Sequence, residues 1–529
     1  MIYLDHAATT PLDAQVRAAM LPWLDDVDGY GNPASDHRLG RRARAAVESA
    51  RAQVAALIGA EAGEIVWTSG ATEANNLALK GALEFRGLKG AHVVSSRIEH
   101  KAVLDTCRYL ETQGTRVTYL TPDADGRIAV EQVMSALQPD TALVSLMWVN
   151  NETGVINPVV ELAPLLRARG VLFHVDAVQA AGKLAIDLSQ VPIDLLSLSA
   201  HKLYGPKGVG ALFVRKRPRA RLAPQIHGGG HEQGMRSGTL ATHQIVGMGA
   251  AFALAQSQVD AEAARQHRLR ERLWQRLQRL AQIHRNGDAA HCAPHILNVS
   301  FEGVEGEALR ASLPELAVSS GSACSSATRE PSYVLRALGR DDELAGASLR
   351  LSLGRSTSAE QVDCAADQII AAVHRLRALS PTWGGSSVAT DVETTTAFAG
   401  DDNVYMYPAP VWAAFGAVRH AGTLPAADNV VCSQVGSPAA RAQLELSARC
   451  TPEGVVEAAR FRAYGCPTSI AVGEWLAGRI EGCSTAVAIP PTAADIRAAL
   501  EIGEDKAHCA LMGEDVLRAL FDQIHRIRR

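Results

Sequence analysis

The sequence predicts an α/β chain: a large, mainly parallel sheet wrapped by helices, then a smaller α+β portion, then a separate α+β tail. Three observations carry this reading. Between residues 60 and 216, short runs apolar on both faces alternate with helix-length segments, as strands covered by helices on both sides require. Polar clusters follow the ends of those runs, where such sheets bind ligands. Beyond residue 238 the periodicity lengthens, and beyond 402 a new set of alternating runs begins.

The strands expected are Glu64–Ser69, Ala91–Ser96, Arg116–Thr121, Ala142–Val149, Val171–Val178, Asp194–Ser199 and Gly210–Lys216. After Gly238-Thr239, a charged helix repeats Leu269, Leu273, Leu277 and Leu280 at helical spacing. The arginines between them read as a solvated face rather than a nucleic-acid surface. A helix over Gln361–Leu379 closes the smaller portion, and Pro381–Asp402, rich in Gly, Ser, Thr and Ala, reads as linker. In the tail, Gln443–Arg449 and Val455–Tyr464 flank Pro452-Glu-Gly454, which predicts an antiparallel hairpin. Helices follow from Pro467 to Arg479, with proline at a tolerated first-turn position, and near Glu514–Arg528.

A chain of 529 residues exceeds one core and divides into domains of roughly 100–200 residues or more. The expected limits are 1–378 for the front portion, 379–402 for the linker and 403–529 for the tail. Within the front portion, about 13–250 forms the large part, and 251–378 with the N-terminal segment forms the small part. A net charge of −4 excludes a strongly basic nucleic-acid protein, and no apolar run reaches the ~18–20 residues that span a bilayer. The opening Met1-Ile-Tyr-Leu-Asp5-His6 has no signal-like pattern, so a cytoplasmic protein is expected. Nine scattered cysteines make no disulfide framework, which leaves each a thiol, ligand or nucleophile.

Chemistry concentrates at Ser199-Ala-His201-Lys202, a lysine at a strand end before the glycine-rich Gly205-Pro-Lys-Gly208. Such a lysine suits an aldehyde cofactor when partial desolvation and cationic neighbours lower its pKa. Pyridoxal phosphate also needs a carboxylate for its ring nitrogen, a phosphate cup and a group over its ring. Asp176 ends a strand, Gly70-Ala71-Thr72 precedes a helix whose N–H groups suit phosphate, and His100 and Gln179 offer ring contacts.

The segments Tyr3-Leu-Asp-His-Ala-Ala-Thr-Thr-Pro11, Ser69-Gly-Ala-Thr-Glu-Ala-Asn-Asn76 and Glu99-His-Lys-Ala-Val-Leu-Asp105 carry a resemblance. So do Val149-Asn-Asn-Glu-Thr-Gly154, His174-Val-Asp-Ala-Val-Gln-Ala-Ala-Gly182 and Gly228-Gly-Gly-His-Glu-Gln-Gly-Met-Arg-Ser-Gly-Thr239. Through them the front portion resembles the NifS/IscS-like cysteine desulfurases, pyridoxal-phosphate enzymes of the class V aminotransferase group. The resemblance implies the fold-type I architecture of that group, with Lys202 as the lysine that carries the cofactor. It implies Thr72, Ser199 and His201 on the phosphate, and a homodimer in which Thr239 reaches the phosphate bound by the neighbouring subunit.

Cys324, in Ser319-Ser-Gly-Ser-Ala-Cys324-Ser-Ser-Ala327, names the reaction, because a thiol on a small-residue segment can travel. The expected chemistry takes sulfur from L-cysteine: Arg350 pairs with the substrate carboxylate and Asn151 helps hold the amino acid. Lys202 removes the α-proton, His100 serves proton transfer, and the Cys324 thiolate takes the sulfur as a persulfide, leaving alanine. A selenocysteine lyase or a donor to another acceptor is the alternative, and a transaminase has no use for Cys324.

In the tail, Arg419-His-Ala-Gly-Thr-Leu424, Val435-Gly-Ser-Pro438, Phe461-Arg-Ala-Tyr-Gly-Cys466 and His508-Cys509 resemble the IscU/NifU-type iron–sulfur scaffold. The resemblance implies Cys466, His508 and Cys509 as metal ligands. It fails where a cysteine and an aspartate are expected, because Ala440 and Ala442 stand there. Cys432, Cys450 or Cys483 could replace the missing thiolate, although free thiols without a role are the simpler reading for all three, and Cys324 could supply one from its loop. Three roles are therefore open: a working iron–sulfur scaffold fused to its sulfur donor, a zinc-binding or persulfide-relaying acceptor, or a structural interaction module that meets assembly proteins.

Overall fold

The computed structural model describes residues 1–24, 28–87, 90–320, 330–383, 403–485 and 489–527, Ile527 by its backbone only. Its strands are β1 (Ile2–Tyr3), β2 (Ile65–Thr68), β3 (His92–Ser96), β4 (Arg116–Leu120), β5 (Thr141–Ser145), β6 (Leu172–Asp176), β7 (Leu195–Ser199) and β8 (Gly210–Val214). They continue with β9 (Ile283–Arg285), β10 (Ile296–Phe301), β11 (Leu316–Ala317), β12 (Ser348–Ser352), β13 (Val430–Ser437), β14 (Ala442–Cys450) and β15 (Val456–Tyr464).

The seven apolar runs form one seven-stranded sheet in the order β2-β8-β7-β6-β5-β3-β4. Only β8 runs against its neighbours, pairing antiparallel with β2 and β7. Strands β2, β3, β5, β6, β7 and β8 are buried throughout, as helices on both faces demand. The run read as Ala142–Val149 leaves the sheet at Ser145, and Met147 and Val149 turn into the strand-end cavity instead. Both uses bury apolar side chains, so the sequence pattern does not mark the boundary.

The smaller portion holds the antiparallel sheet β12-β10-β9 and the parallel pair β1-β11. Its charged helix spans Val259–Leu277, with Leu273 and Leu277 fully buried. The exposed-face arginines meet a neighbouring helix, Ala359–Leu379, through Arg272–Asp363 at 2.6 Å and Arg276–Asp367 at 2.5 Å. Both arginines thus have protein partners.

The tail is the three-stranded sheet β13-β14-β15, with the expected hairpin between β14 and β15 in register from Gln443↔Tyr464. Helices Pro467–Ile480 and Ala507–Ile527 cover it. Strand β13 and helices Ala409–Gly416 and Ala493–Leu500 were not expected from sequence. Strand β13 alternates in exposure, but Ser433 and Ser437 stand on its inner face and Val430 on its outer one, so the sequence shows no hydrophobic period of two.

The tail shares one continuous apolar core with the smaller portion, running from Leu309, Val373 and Leu376 to Phe415, Phe461 and Leu517. Polar contacts fix the docking. Lys506 Nζ donates to both carboxylate oxygens of Glu307 at 2.8 Å, and the Tyr407 hydroxyl donates to the same carboxylate. The Arg375 guanidinium stacks over the Phe415 ring at 4.7 Å and donates to the Phe415 carbonyl. The expected linker also begins later than read, because Arg462 donates to the carbonyls of Ser380 and Trp383, and Arg377 lies 3.9 Å from the Trp383 ring. Among the described residues, no helix is long and apolar enough to cross a membrane.

Removing one member of a largely buried ion pair strands the other charge. Lys506→Met should therefore lower the stability of the docked tail by about 2 kcal/mol, a figure reduced for the part exposure of Glu307. An urea unfolding curve followed by tail tryptophan fluorescence reads this; an unchanged midpoint would show that apolar packing alone holds the tail.

Candidate active site

The carboxyl ends of β2, β6 and β7 open into a cavity of about 580 Å³. Ala71, Thr72, His100, Asn151, Asp176, Gln179, Ser199, His201, Lys202 and Arg350 all line it. Sequence reading thus brought ten candidates to one place. Thr239 is exposed and does not line this chain's cavity. Cys324 lies outside the described residues.

Helix Ala71–Phe85 begins at the cavity, and its first N–H groups face an entering anion. Gly70 precedes it with φ of +155°, a backbone that favours glycine, and a Cβ on Gly210 would sit 2.7 Å from the Gly70 Cα, so Gly210 lets β8 approach the turn. Glu73 braces the turn, accepting from Ser69 N at 2.7 Å and pairing with Arg236 at 2.8 Å. On the opposite wall, burial together with the charges of Lys202 and Lys207 brings the His201 pKa down to about 4. Its Nδ1 lies 3.1 Å from the Thr9 hydroxyl. A neutral His201 keeps one N–H available as a donor at neutral pH.

Asp176 ends β6 and is buried; Asn75 Nδ2 donates to its Oδ2 at 2.8 Å and Val178 N to its Oδ1 at 3.1 Å. Asn75 was missed in the sequence, although it lies within the matched Ser69–Asn76 segment. Its position one turn into the helix gave no sign of a partner on another strand. Lys202 Nζ donates to the carbonyls of Ala7 and Ala8 at 2.7 and 2.6 Å, and Gln179 Nε2 donates to the Ala7 carbonyl at 2.9 Å. The N-terminal segment therefore forms a wall of the site. His100 caps helix Lys101–Thr112, its Nδ1 accepting from Ala102 N at 3.1 Å, which puts the proton of the neutral ring on Nε2.

Arg350, at 2% exposure, comes from β12 of the smaller portion. Asp5 holds its Nη2 at 2.8 Å and the Asn151 carbonyl its Nη1 at 2.9 Å. Its Nε and the Asn151 Oδ1 are buried without a hydrogen-bond partner. A polar molecule completes such a site. A phosphorylated aldehyde with a basic ring nitrogen fits these donors: helix N-terminus and His201 for phosphate, Asp176 for the ring nitrogen, Lys202 for the aldehyde carbon.

Beside His100 lies a fully buried carboxyl that the sequence did not single out as functional. Glu99 Oε1 accepts from Ser96 Oγ at 2.8 Å and Met147 N at 2.9 Å, and Oε2 has no partner. Burial, reinforced by the Asp176 charge, raises its pKa to about 8. As a neutral acid at pH 7 it joins the ends of β3 and β5 and fixes the entry to the His100 helix.

A second cavity, about 610 Å³, lies between the smaller portion and the tail. Cys466 and His508 line it, as do Glu305 and Glu307 from the front. Cys466 Sγ lies 3.9 Å from Cys509 Sγ, which lies 3.3 Å from His508 Nε2. The hydrogen bond with Cys509, aided by the nearby Lys506 ammonium, outweighs burial and holds the Cys466 thiol below its ordinary pKa, while the same contact and burial push Cys509 up. The three expected ligands are thus neighbours, yet among the described residues no group of three His, Cys, Asp or Glu side chains is arranged to hold a metal ion. Ala440 borders the cavity, Ala442 is buried, and neither offers a donor atom.

Cys432, Cys450 and Cys483 lie away from the missing thiolate's place, as free thiols without a metal role would. Cys432 pairs with Ser447 on the tail sheet, five residues from the Ser437↔Ala442 end beside Cys466, or about 17 Å. Cys450, opposite Val456, and Cys483, beside the Val455↔Ser484 bridge, lie at the far end of the sheet.

The pattern of the family described as Aminotransferase class-V matches residues 2–364, and that of the NifU-like N terminal domain matches residues 406–528. The chain is 55% identical over 383 residues to the cysteine desulfurase IscS of Klebsiella pneumoniae, a match covering 72% of this chain and 95% of the relative. Over 395 residues it is 55% identical to the IscS of Proteus mirabilis, covering 74% and 98%. A solved NifS-like protein, 35% identical, superposes with a TM-score of 0.66 over 71% of this chain and 99% of its own. The structure of SspA in complex with cysteine, 39% identical, gives 0.60 over 67% and 99%.

Asp176→Asn keeps the shape of the site and removes its charge. Turnover should fall roughly 100-fold or more while bound cofactor, read by absorbance, is retained; near-normal turnover would detach Asp176 from the reaction. For Glu99, a folded pKa above the unfolded value means stability present below about 4.5 and lost as pH rises toward about 8. Glu99→Gln should flatten the melting temperature across that window; an unchanged slope would show that Glu99 is not its source.

Proposed function

The chain belongs to the class-V aminotransferase family as a cysteine desulfurase with a NifU-like domain at its C-terminal end, and we propose which residues perform the reaction and where the sulfur goes. One observation carries the proposal: Lys202, Asp176 and Arg350 meet in a single strand-end cavity that the N-terminus of helix Ala71–Phe85 also lines.

Pyridoxal phosphate, when bound, supplies an electron-withdrawing ring that stabilises charge at the substrate α-carbon. Thr72, Ser199, His201 and the N–H groups from Ala71 onward hold its phosphate, Asp176 its ring nitrogen, and Gln179 and Asn151 its ring hydroxyl. Asn75 keeps the Asp176 carboxylate aimed. Arg350 receives the carboxylate of L-cysteine through its unpartnered Nε and the edge it shares with Asp5. Lys202 Nζ removes the α-proton, and Nε2 of His100 donates or recovers a proton at the substrate. The Cys324 thiolate then attacks the substrate sulfur; the C–S bond breaks, an S–S bond forms on Cys324, and L-alanine leaves.

Chain length supports a carrier role for Cys324. Ser319 pairs with Arg350, whose N–H donates to its carbonyl at 2.8 Å. Five residues further, Cys324 is tethered within about 18 Å of that point. Ser320 and Glu330, on either side of it, border the cavity that holds Cys466. We infer that the persulfide sulfur passes from the front site to Cys466 of the NifU-like domain, which supports iron–sulfur assembly at high effective concentration. The homodimer and the role of Thr239 belong to the same proposal. A zinc ion or cluster at the tail would draw on Cys466, His508 and Cys509, with a fourth ligand from outside, such as Cys324.

Cys324→Ala should keep the cofactor absorbance and lose persulfide labelling of the protein by sulfur-labelled cysteine. Labelling at the wild-type rate would remove Cys324 from the pathway.

A further inference from the structure

Two thiols at the inter-domain cavity, one lining it and one behind, lie close enough to react with one another. Cys466 begins helix Pro467–Ile480 and borders the cavity, while Cys509, fully buried, stands behind it on helix Ala507–Ile527. Their sulfurs are 3.9 Å apart. A disulfide needs about 2.05 Å, so each side chain has to move about 1 Å. Ser469 Oγ bridges them, 3.8 Å from Cys466 Sγ and 3.4 Å from Cys509 Sγ. His508, exposed, places Nε2 3.3 Å from Cys509 Sγ and gives its proton a path to the cavity.

We propose that Cys466 and Cys509 act as a dithiol that converts delivered sulfane sulfur into free sulfide. This rests on the reading that sulfur reaches Cys466 from the front site. In the first step the Cys466 thiol takes the outer sulfur of the donor persulfide; the donor returns to a thiol and Cys466 becomes a perthiolate, Cys466–S–S⁻. In the second, Cys509 gives its proton through His508 to the outer sulfur while its own sulfur attacks Cys466 Sγ. The S–S bond to the outer sulfur breaks, HS⁻ leaves into the cavity, and a Cys466–Cys509 disulfide forms. The sulfane sulfur gains two electrons and the two cysteines lose them. A dithiol reductant then restores both thiols. The tail thereby makes the reduced sulfur that cluster assembly consumes, without itself closing a metal site.

The test uses the full chain loaded with pyridoxal phosphate, reduced, freed of reductant and given cysteine. Alanine, released sulfide and the state of each cysteine by peptide mass mapping are followed together. About one sulfide per chain should appear without added reductant, in step with a Cys466–Cys509 disulfide. Dithiothreitol should convert that single burst into turnover. Cys509→Ser should lose the burst and hold the sulfur on Cys466. Persulfide on wild-type Cys466, with Cys509 left as a thiol and no sulfide released, would overturn the inference and leave the delivery reading intact. Alanine formed without any sulfur or disulfide at Cys466 would overturn delivery itself. The wild-type map decides between these even where the buried Cys509 substitution harms folding.

Discussion

The N-terminal segment is the tie on which the rest of the molecule depends. Strand β1 joins β11, and Asp5 bridges to Ser352 and pairs with Arg350. The Ala7 and Ala8 carbonyls hold Lys202, and Thr10 donates to the His201 carbonyl at 3.0 Å. Within ten residues the chain links Arg350 of the smaller portion to Lys202 of the large sheet. That strap adds to the direct bond from Arg350 to the Asn151 carbonyl, and a reacting geometry requires such groups to be held within a fraction of an ångström.

The tail extends the same logic. It adds its apolar face to the smaller portion, and that portion also carries Arg350 and both flanks of Cys324. Arg350, both flanks of Cys324 and the Cys466–Cys509 pair thus share one support. The buried Lys506–Glu307 pair orients the docking, because apolar packing alone is tolerant of sliding while a charge without its partner is not.

Much of this was legible in the sequence. Seven apolar runs became seven strands because a sheet covered on both faces demands continuous hydrophobicity. The cofactor candidates converged because strand ends of one sheet are neighbours in space. What stayed hidden depends on tertiary partners: Asn75 behind Asp176, Glu99 held neutral by burial, and Asp5 on Arg350. Strand β13 carries serines on its inner face, so its alternation is not hydrophobic, and the reach of Cys432 toward Cys466 could be judged only once sheet register was known. The close approach of Cys466 and Cys509, 43 residues apart, is likewise set by helix packing and by no local pattern.

The central claim is that fusion makes sulfur delivery an event within one assembled molecule. The direct test is the rate constant for arrival of sulfane sulfur at Cys466 after a single charge of the front site, measured across a roughly 100-fold dilution. A rate constant that stays the same is the expected result. One that falls in proportion to protein concentration would mean that sulfur travels between separate molecules, and would contradict the account.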